Sequence, residues 1–216
     1  MLKTITCNQE GSVAVLTLRF SPVNALHRSV LSEIEDCLIQ IEAGQRTRAV
    51  VLLSSSDKVF ATTYAQVNTP CSEELRCLGQ LQQLLQHIKE VPFPIIAVIA
   101  GAALGAGFEL ALACDLRISG EYAKFGFPDT PNGILPTSIS VTTLMEEVGV
   151  AKTKELLWGG RLIGAKEAHG LGIVNALIPD SLLVEEGIAM AHSLACLPTE
   201  VLVAGKQLGE NKRRVT

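Results

Sequence analysis

The stretch "GAALGAGFELALACD", residues 101–115, sets small residues and three glycines ahead of one acid, Glu109, in an otherwise apolar run. A glycine-rich turn after a buried strand suggests a dinucleotide fingerprint, but from Gly105 that motif needs glycine at 110, where Leu110 stands. No acid ends a second strand about 20 residues on, since Asp129 follows Pro128 in a loop-like segment. A phosphate-binding Gly-Lys-Ser/Thr loop is also missing. What remains is a strand, a tight turn, and a helix beginning near Gly105-Ala106. Backbone N–H groups at a helix start are unpaired and point outward, and the helix dipole adds positive potential there, which suits a developing oxyanion. Glu109, one turn in, would lie close to the same spot. Two readings stand at this point. Either Glu109 is a proton carrier beside that oxyanion site, or the small residues only let the helix pack tightly and Glu109 faces solvent.

Outward from this stretch the chain alternates strands and helices. "SVAVLTLRF" (12–20) alternates like a strand and ends at Ser21-Pro22. From 27 to 43 the apolar residues Val30, Leu31, Ile34, Leu38 and Ile41 form one helix face, with Gly44 as a stop. "RAVVLLS" (48–54) and "IIAVIAG" (95–101) are continuous apolar runs, the mark of strands buried on both faces. Residues 55–71 are polar and turn-like. Ser72 can cap a helix with Leu75, Leu78, Leu81, Leu85 and Ile88 on its apolar face, broken by "VPFP" at 91–94. "DLRIS" (115–119) is a further strand, and beyond 130 the chain is mostly helical. The class is therefore α/β, with helices over parallel strands. No internal repeat or low-complexity segment is visible.

Composition excludes several functions. The 216 residues favour one domain, and 48% hydrophobic residues suffice for a large core. A net charge of -4 and a pI near 5.6 give no support to a nucleic-acid or anionic-membrane partner. The one basic run, Lys212-Arg213-Arg214, reads as a solvated end. The longest apolar stretch, Val91 to Leu116, is interrupted by prolines, glycines and Glu109 and does not read as a membrane span. The six cysteines form no C-x-x-C pair, and Cys37 and Cys114 sit in apolar periodic stretches as small hydrophobes. Reduced thiols and a strand-like run directly after Met1-Leu2-Lys3-Thr4 lead to an expected cytoplasmic location. The four histidines have no metal-ligand spacing, so no metal is expected.

From Pro92 to Pro179 the chain resembles the crotonase (enoyl-CoA hydratase/isomerase) family. The segment "PIIAVIAGAALGAGFELALACDLRISGEYAKFGFPDTPNGILP" carries the resemblance, with "GGRLIGAKEAHGLGIVNALIP" and the N-terminal "VAVLTLRFSPVNAL" beside it. The resemblance implies a spiral of ββα turns over 1–179, followed by a shortened helical segment over 180–216. It implies an acyl thioester of coenzyme A or an acyl-carrier protein as substrate, no separate cofactor, and a homo-oligomer, a trimer by family analogy. Two backbone N–H groups, those of Tyr64 and Ala106, would hold the thioester oxygen. Glu109 and Asp129 match the two acids that carry protons. Ala25, Leu26, Ala61, Thr62, Gly105 and Gly133 match substrate-binding positions.

Two features depart from the family pattern. Asp129 is one methylene shorter than the glutamate usual in hydratases, which burdens hydration more than an isomerisation run by Glu109 alone. Asp129 also reads as a loop acid capping the turn at Thr130-Pro131-Asn132-Gly133. In "FATTYA" (60–65), β-branched Thr63 replaces a glycine that tolerates positive φ, and Tyr64 replaces a small residue. Tyr64 would fill part of an acyl pocket, offer its hydroxyl, or simply close the loop. The family's C-terminal helical segment is expected to be missing after "TEVLVAGKQLGENKRRVT". Tyr122, Trp158 and Arg161 are expected to serve packing. The runner-up function is a catalytically weak or inactive relative that binds thioesters or a partner subunit.

Overall fold

Two of the continuous apolar runs become neighbouring strands of one parallel sheet with both faces covered. A computed structural model describes residues 4–19, 23–63 and 71–208, with the side chains of 71–75 outside that description. A hairpin opens the chain: β1 (Ile5–Glu10) runs antiparallel to β2 (Val13–Leu18). β3 (Ala25–Leu26) and helix α1 (Arg28–Gly44) complete a first strand–strand–helix turn. The order repeats as β4 (Ala49–Ser54), β5 (Val59–Thr63) and α2 (Cys71–Glu90), then as β6 (Ile95–Ile99), β7 (Ala102–Leu104) and α3 (Ala106–Ala113). A fourth turn consists of β8 (Leu116–Ser119), β9 (Lys124–Gly126), a single 3₁₀ turn (Thr130–Asn132) and α4 (Ser138–Gly159), which is broken at Gly149. The short pieces β10 (Ile163–Gly164), α5 (Ala165–Gly170) and β11 (Ala176–Leu177) follow, then α6 (Leu183–Ala195) and α7 (Thr199–Gln207).

The first strand of each turn joins a six-stranded sheet ordered β1-β2-β4-β6-β8-β11, and the second joins a five-stranded sheet ordered β10-β9-β7-β5-β3. The chain is thus a ββα spiral. Alternation along the first sheet divides the core. Ala14, Leu16, Leu18, Val50, Leu52, Ala97 and Ile99 face the main core with α1, α2 and α3, while Val13, Val15, Val51, Ile96 and Val98 face a second layer beneath α6. The helix face Val30, Leu31, Ile34, Leu38 and Ile41 is fully buried, each large side chain contributing about 1.5–3 kcal/mol. All eight residues of α3 are buried, so this helix is the centre of the molecule. Its C-terminal carbonyls are satisfied by buried Arg117, which donates to Ala111, Leu112 and Cys114 and also pairs with Glu147. α7 is tied down by Lys206, which donates to Phe93 O at 3.0 Å and Asp115 Oδ2 at 2.8 Å, and by Arg48, which donates to Thr199 Oγ1 at 2.8 Å. Among the described residues no single helix is long and apolar enough to cross a membrane.

Several local expectations are corrected. The polar segment 55–71 contains β5, and 101–105 contains β7. These second-sheet strands have two to five residues, too few to show a period of two. The ββα repeat is therefore structural and leaves no repeat in the sequence. Gly44 is the last helical residue, and Gln45 (φ 50°) carries the left-handed turn instead. α2 begins at Cys71, one residue before Ser72, and Leu78 (39% exposed) turns outward while Leu84 takes a core position. Tyr122 and Trp158 do not pack, being 78% and 74% exposed. Arg161 pairs at the surface with Glu155 and Glu167.

Two glycine substitutions test how closely α3 is seated. A Cβ at Gly107 would lie 1.9 Å from Ala61 O, a backbone atom that cannot move away cheaply. G107A is expected to lower the urea-unfolding free energy by about 1–3 kcal/mol or more. G79A, with nothing within 4 Å of the new methyl, is expected to raise it by about 0.5–1 kcal/mol.

Candidate active site

The site is built where β7 hands over to α3. Gly105 caps the helix with φ 53° and donates its N–H to Gly126 O at 2.9 Å. Its conformation favours glycine, and so does its surroundings: a Cβ there would lie 1.8 Å from Thr63 Oγ1 and 3.5 Å from Asp129 Oδ2. Thr63 and Asp129 therefore converge over the bare Cα of Gly105. The Ala106 N–H is not left open as the sequence reading expects. It donates to Thr63 Oγ1 at 2.9 Å. Thr63 itself is not strained, because it closes β5 in strand geometry and has no positive φ.

Glu109 points inward. It is 3% exposed, and its Oε2 accepts from both the N–H and the Oγ1–H of Thr137, each at 2.6 Å. Thr137 is the N-cap of α4, and its hydroxyl lies 3.0 Å from Ser140 Oγ. The carboxylate thus sits on the positive end of another helix. Burial nevertheless pushes its pKa above the ordinary glutamate range, outweighing the Thr137 and Ser140 hydrogen bonds that pull it down. The solvent-facing reading of Glu109 is overturned: every residue of α3 is buried, and Phe108 packs in tilted contact with Phe125 and Phe127.

Asp129 is half-buried at the start of the 3₁₀ turn, and its side chain makes no cap bond. Only its carbonyl serves the turn, accepting from the N–H groups of Asn132 and Ile134. The turn-capping role is therefore carried by main chain, and the carboxylate is turned toward Gly105. Around these groups, β3 pairs with β5 so that Ala25 meets Thr62 and Leu26 meets Thr63. Asn24 fixes that pairing by donating its Nδ2–H to Ser54 Oγ, Val59 O and Phe60 O. Thr62 donates its hydroxyl to Val23 O at 2.9 Å. The side chains of Leu26 and Ala61 lie in the core, because β3 and β5 turn them inward. Gly133 (φ 89°) is exposed at the end of the 3₁₀ turn. Tyr64 lies outside the described residues.

The structure thus gathers Thr63, Gly105, Ala106 and Asp129 at one point and sets Glu109 one helical turn behind it. Sequence reasoning did not find Asn24, Thr137 or Ser140 as partners. For Thr137 a signal existed, a threonine just before the helical run after Pro136. Burial pushes the Cys114 thiol up to about 12, which removes it as a nucleophile.

A family model described as enoyl-CoA hydratase/isomerase matches residues 8–213. The chain belongs to the enoyl-CoA hydratase/isomerase family. It is 38% identical over 200 residues to a "Probable enoyl-CoA hydratase" of Bacillus subtilis, covering 90% of this chain and 77% of that protein. It is 33% identical over 204 residues to mouse "Enoyl-CoA hydratase domain-containing protein 2, mitochondrial", covering 93% of this chain and 68% of that one. Its fold superposes on the crystal structure of an enoyl-CoA hydratase from Bacillus anthracis with a TM-score of 0.93 at 30% identity, over 99% of this chain and 85% of the other. The glycine-rich turn at 101–107 thus lies within the segment that the family model matches.

Burial of Glu109 has a consequence for stability. The folded chain holds the Glu109 proton more tightly than the unfolded chain does, so stability falls as pH climbs from the ordinary glutamate range through the raised value. E109Q keeps an acceptor for Thr137 and removes the buried charge. It is expected to unfold at a higher temperature than the wild type at about pH 8, by about 2–4 °C per kcal/mol relieved, with the gap closing as the pH is lowered. Melting curves over a pH series check this, and a gap independent of pH would contradict it.

Proposed function

We propose that this chain moves protons beside the carbonyl of an acyl thioester, hydrating an enoyl group or shifting its double bond. Glu109 is the principal acid–base and Asp129 its assistant. The observation that carries this reading is the buried carboxyl of Glu109, whose pKa burial pushes upward, one turn from a helix start where a second carboxylate is turned toward Gly105. A base whose pKa is raised toward neutrality transfers protons more effectively than an ordinary glutamate. In hydration, a carboxylate takes a proton from water as the water oxygen bonds to the β-carbon. The C=C electron pair moves toward the thioester oxygen, and the α-carbon then receives a proton. In isomerisation, Glu109 alone removes a proton from one carbon and returns it to another. Both routes pass through the same enolate, which needs donors at the oxygen; losing one such donor costs about 2.7–4 kcal/mol.

The substrate is an acyl thioester of coenzyme A or an acyl-carrier protein, with no other cofactor required. The edge formed by Ala25, Thr62, Gly105 and Gly133 borders the space for it. A second reading, a relative that binds thioesters with little turnover, is favoured by one observation: the Ala106 N–H is already engaged by Thr63.

E109Q is expected to abolish turnover of crotonyl-CoA, whereas D129N should reduce water addition more than double-bond transfer. Mass spectrometry of the products separates the outcomes, because hydration adds one water and isomerisation adds nothing. The acid limb of the wild-type kcat/KM profile should lie above the ordinary glutamate range. Unchanged turnover by E109Q would sink the assignment, and measurable binding with no turnover would favour the second reading.

A further inference from the structure

The residue that contacts Ala106 N–H has the chemistry to extend the oxyanion site. Thr63 ends β5, half-buried, with its backbone set by the pairing to Leu26. Its β-branched side chain has few rotamers, so the hydroxyl is held in place before any ligand arrives. Thr63 Oγ1 accepts the Ala106 N–H at 2.9 Å, and among the described residues its side chain makes no second hydrogen bond. A hydroxyl carries one proton and two lone pairs, so accepting that N–H leaves its own proton to donate. Donation into the oxygen polarises the O–H bond and strengthens what it donates onward.

The position is as telling as the chemistry. Gly105 lacks the Cβ that would collide with Thr63 Oγ1 at 1.8 Å, and Asp129 Oδ2 approaches that same vacated point at 3.5 Å. The hydroxyl therefore stands at the helix start, beside a carboxylate, in the place where the thioester reading needs a donor. We propose that the Thr63 hydroxyl, and not the Ala106 N–H directly, is the donor to the thioester oxygen on the helix side, with Ala106 acting through it. Thr63 is then a catalytic residue in its own right. This inference rests on the thioester reading above. It also turns the observation that favours a non-turnover relative into a working part of the site, since the N–H is relayed and not blocked.

The test uses the full chain as wild type, T63V, T63S, T63G and E109Q. Crotonyl-CoA turnover gives kcat and KM. Isotope-edited infrared spectra of bound butyryl-CoA, labelled at the thioester carbon, report hydrogen bonding to the carbonyl without any reaction. T63V is expected to lose about 10²–10³-fold in kcat with KM moving less than about threefold, and to lose the carbonyl red-shift. T63S should recover most of the turnover and the red-shift, and E109Q should keep the red-shift while losing turnover. T63A replaces T63V if the valine variant fails to fold by circular dichroism. The inference is overturned if T63V leaves kcat and the carbonyl band unchanged, or if T63G exceeds the wild type in both, which would make the hydroxyl a plug. Failure of wild-type chain to bind butyryl-CoA would remove the thioester reading and this inference with it. Binding and Glu109-dependent turnover that ignore position 63 would remove this inference alone.

Discussion

Helix α3 enters the core so close to β5 that Gly107 has Ala61 O where a Cβ would stand. That backbone-on-backbone approach governs the rest of the site. It brings the end of β5 within hydrogen-bond reach of the first turn of α3, and so lets Thr63 meet the Ala106 N–H. It buries all eight residues of the helix, and therefore forces Glu109 into a dry environment that an exposed helix would not impose. A longer separation would admit side chains at 105 and 107, but it would dissolve the juxtaposition of hydroxyl, N–H and carboxylate. Small residues in "GAALGAG" thus serve distance first and conformation second, with Gly105 serving both.

The buried acid imposes the second constraint. An uncompensated carboxylate in such a core costs several kcal/mol. Here the N-terminus of α4 supplies compensation, since the Thr137 N–H and hydroxyl both donate to Glu109. Compensation is incomplete, as the upward pKa shift shows. A fully satisfied carboxylate would be a permanent anion and a weak base, whereas a partly satisfied one retains affinity for a proton. The fourth turn of the spiral therefore holds Glu109 in place, through Thr137 at the start of α4.

Much of the fold was legible because its long elements bury complete faces. The face from Val30 to Ile41 and the runs at 48–54 and 95–101 each show their period or their continuity over enough residues to decide. The second sheet was not legible. β3, β7, β9 and β10 have two or three residues each, and their register comes from neighbours in space. The site divides the same way. Gly105, Ala106, Glu109 and Asp129 lie in one stretch whose resemblance to a family could be read directly. Thr63 and Thr137 are 43 and 28 residues from the groups they bond, and no local pattern announces such a contact. Even the concern over Thr63 came from a sequence rule about glycine; in strand geometry it does not arise, and the side chain's consequence is chemical instead.

The two acids end up in different surroundings. Glu109 is dry, clamped by a helix N-terminus and reluctant to ionise. Asp129 is half-buried at a turn, with its carboxylate free of capping duty and next to Gly105. The shorter aspartate need not span the distance a glutamate would, provided another group reaches the reacting oxygen. Thr63 lies over the start of α3, where its Oγ1 accepts the Ala106 N–H. A hydroxyl over the helix start and an acid that is one methylene shorter both border the bare Cα of Gly105, so the two departures from the family pattern meet at one place.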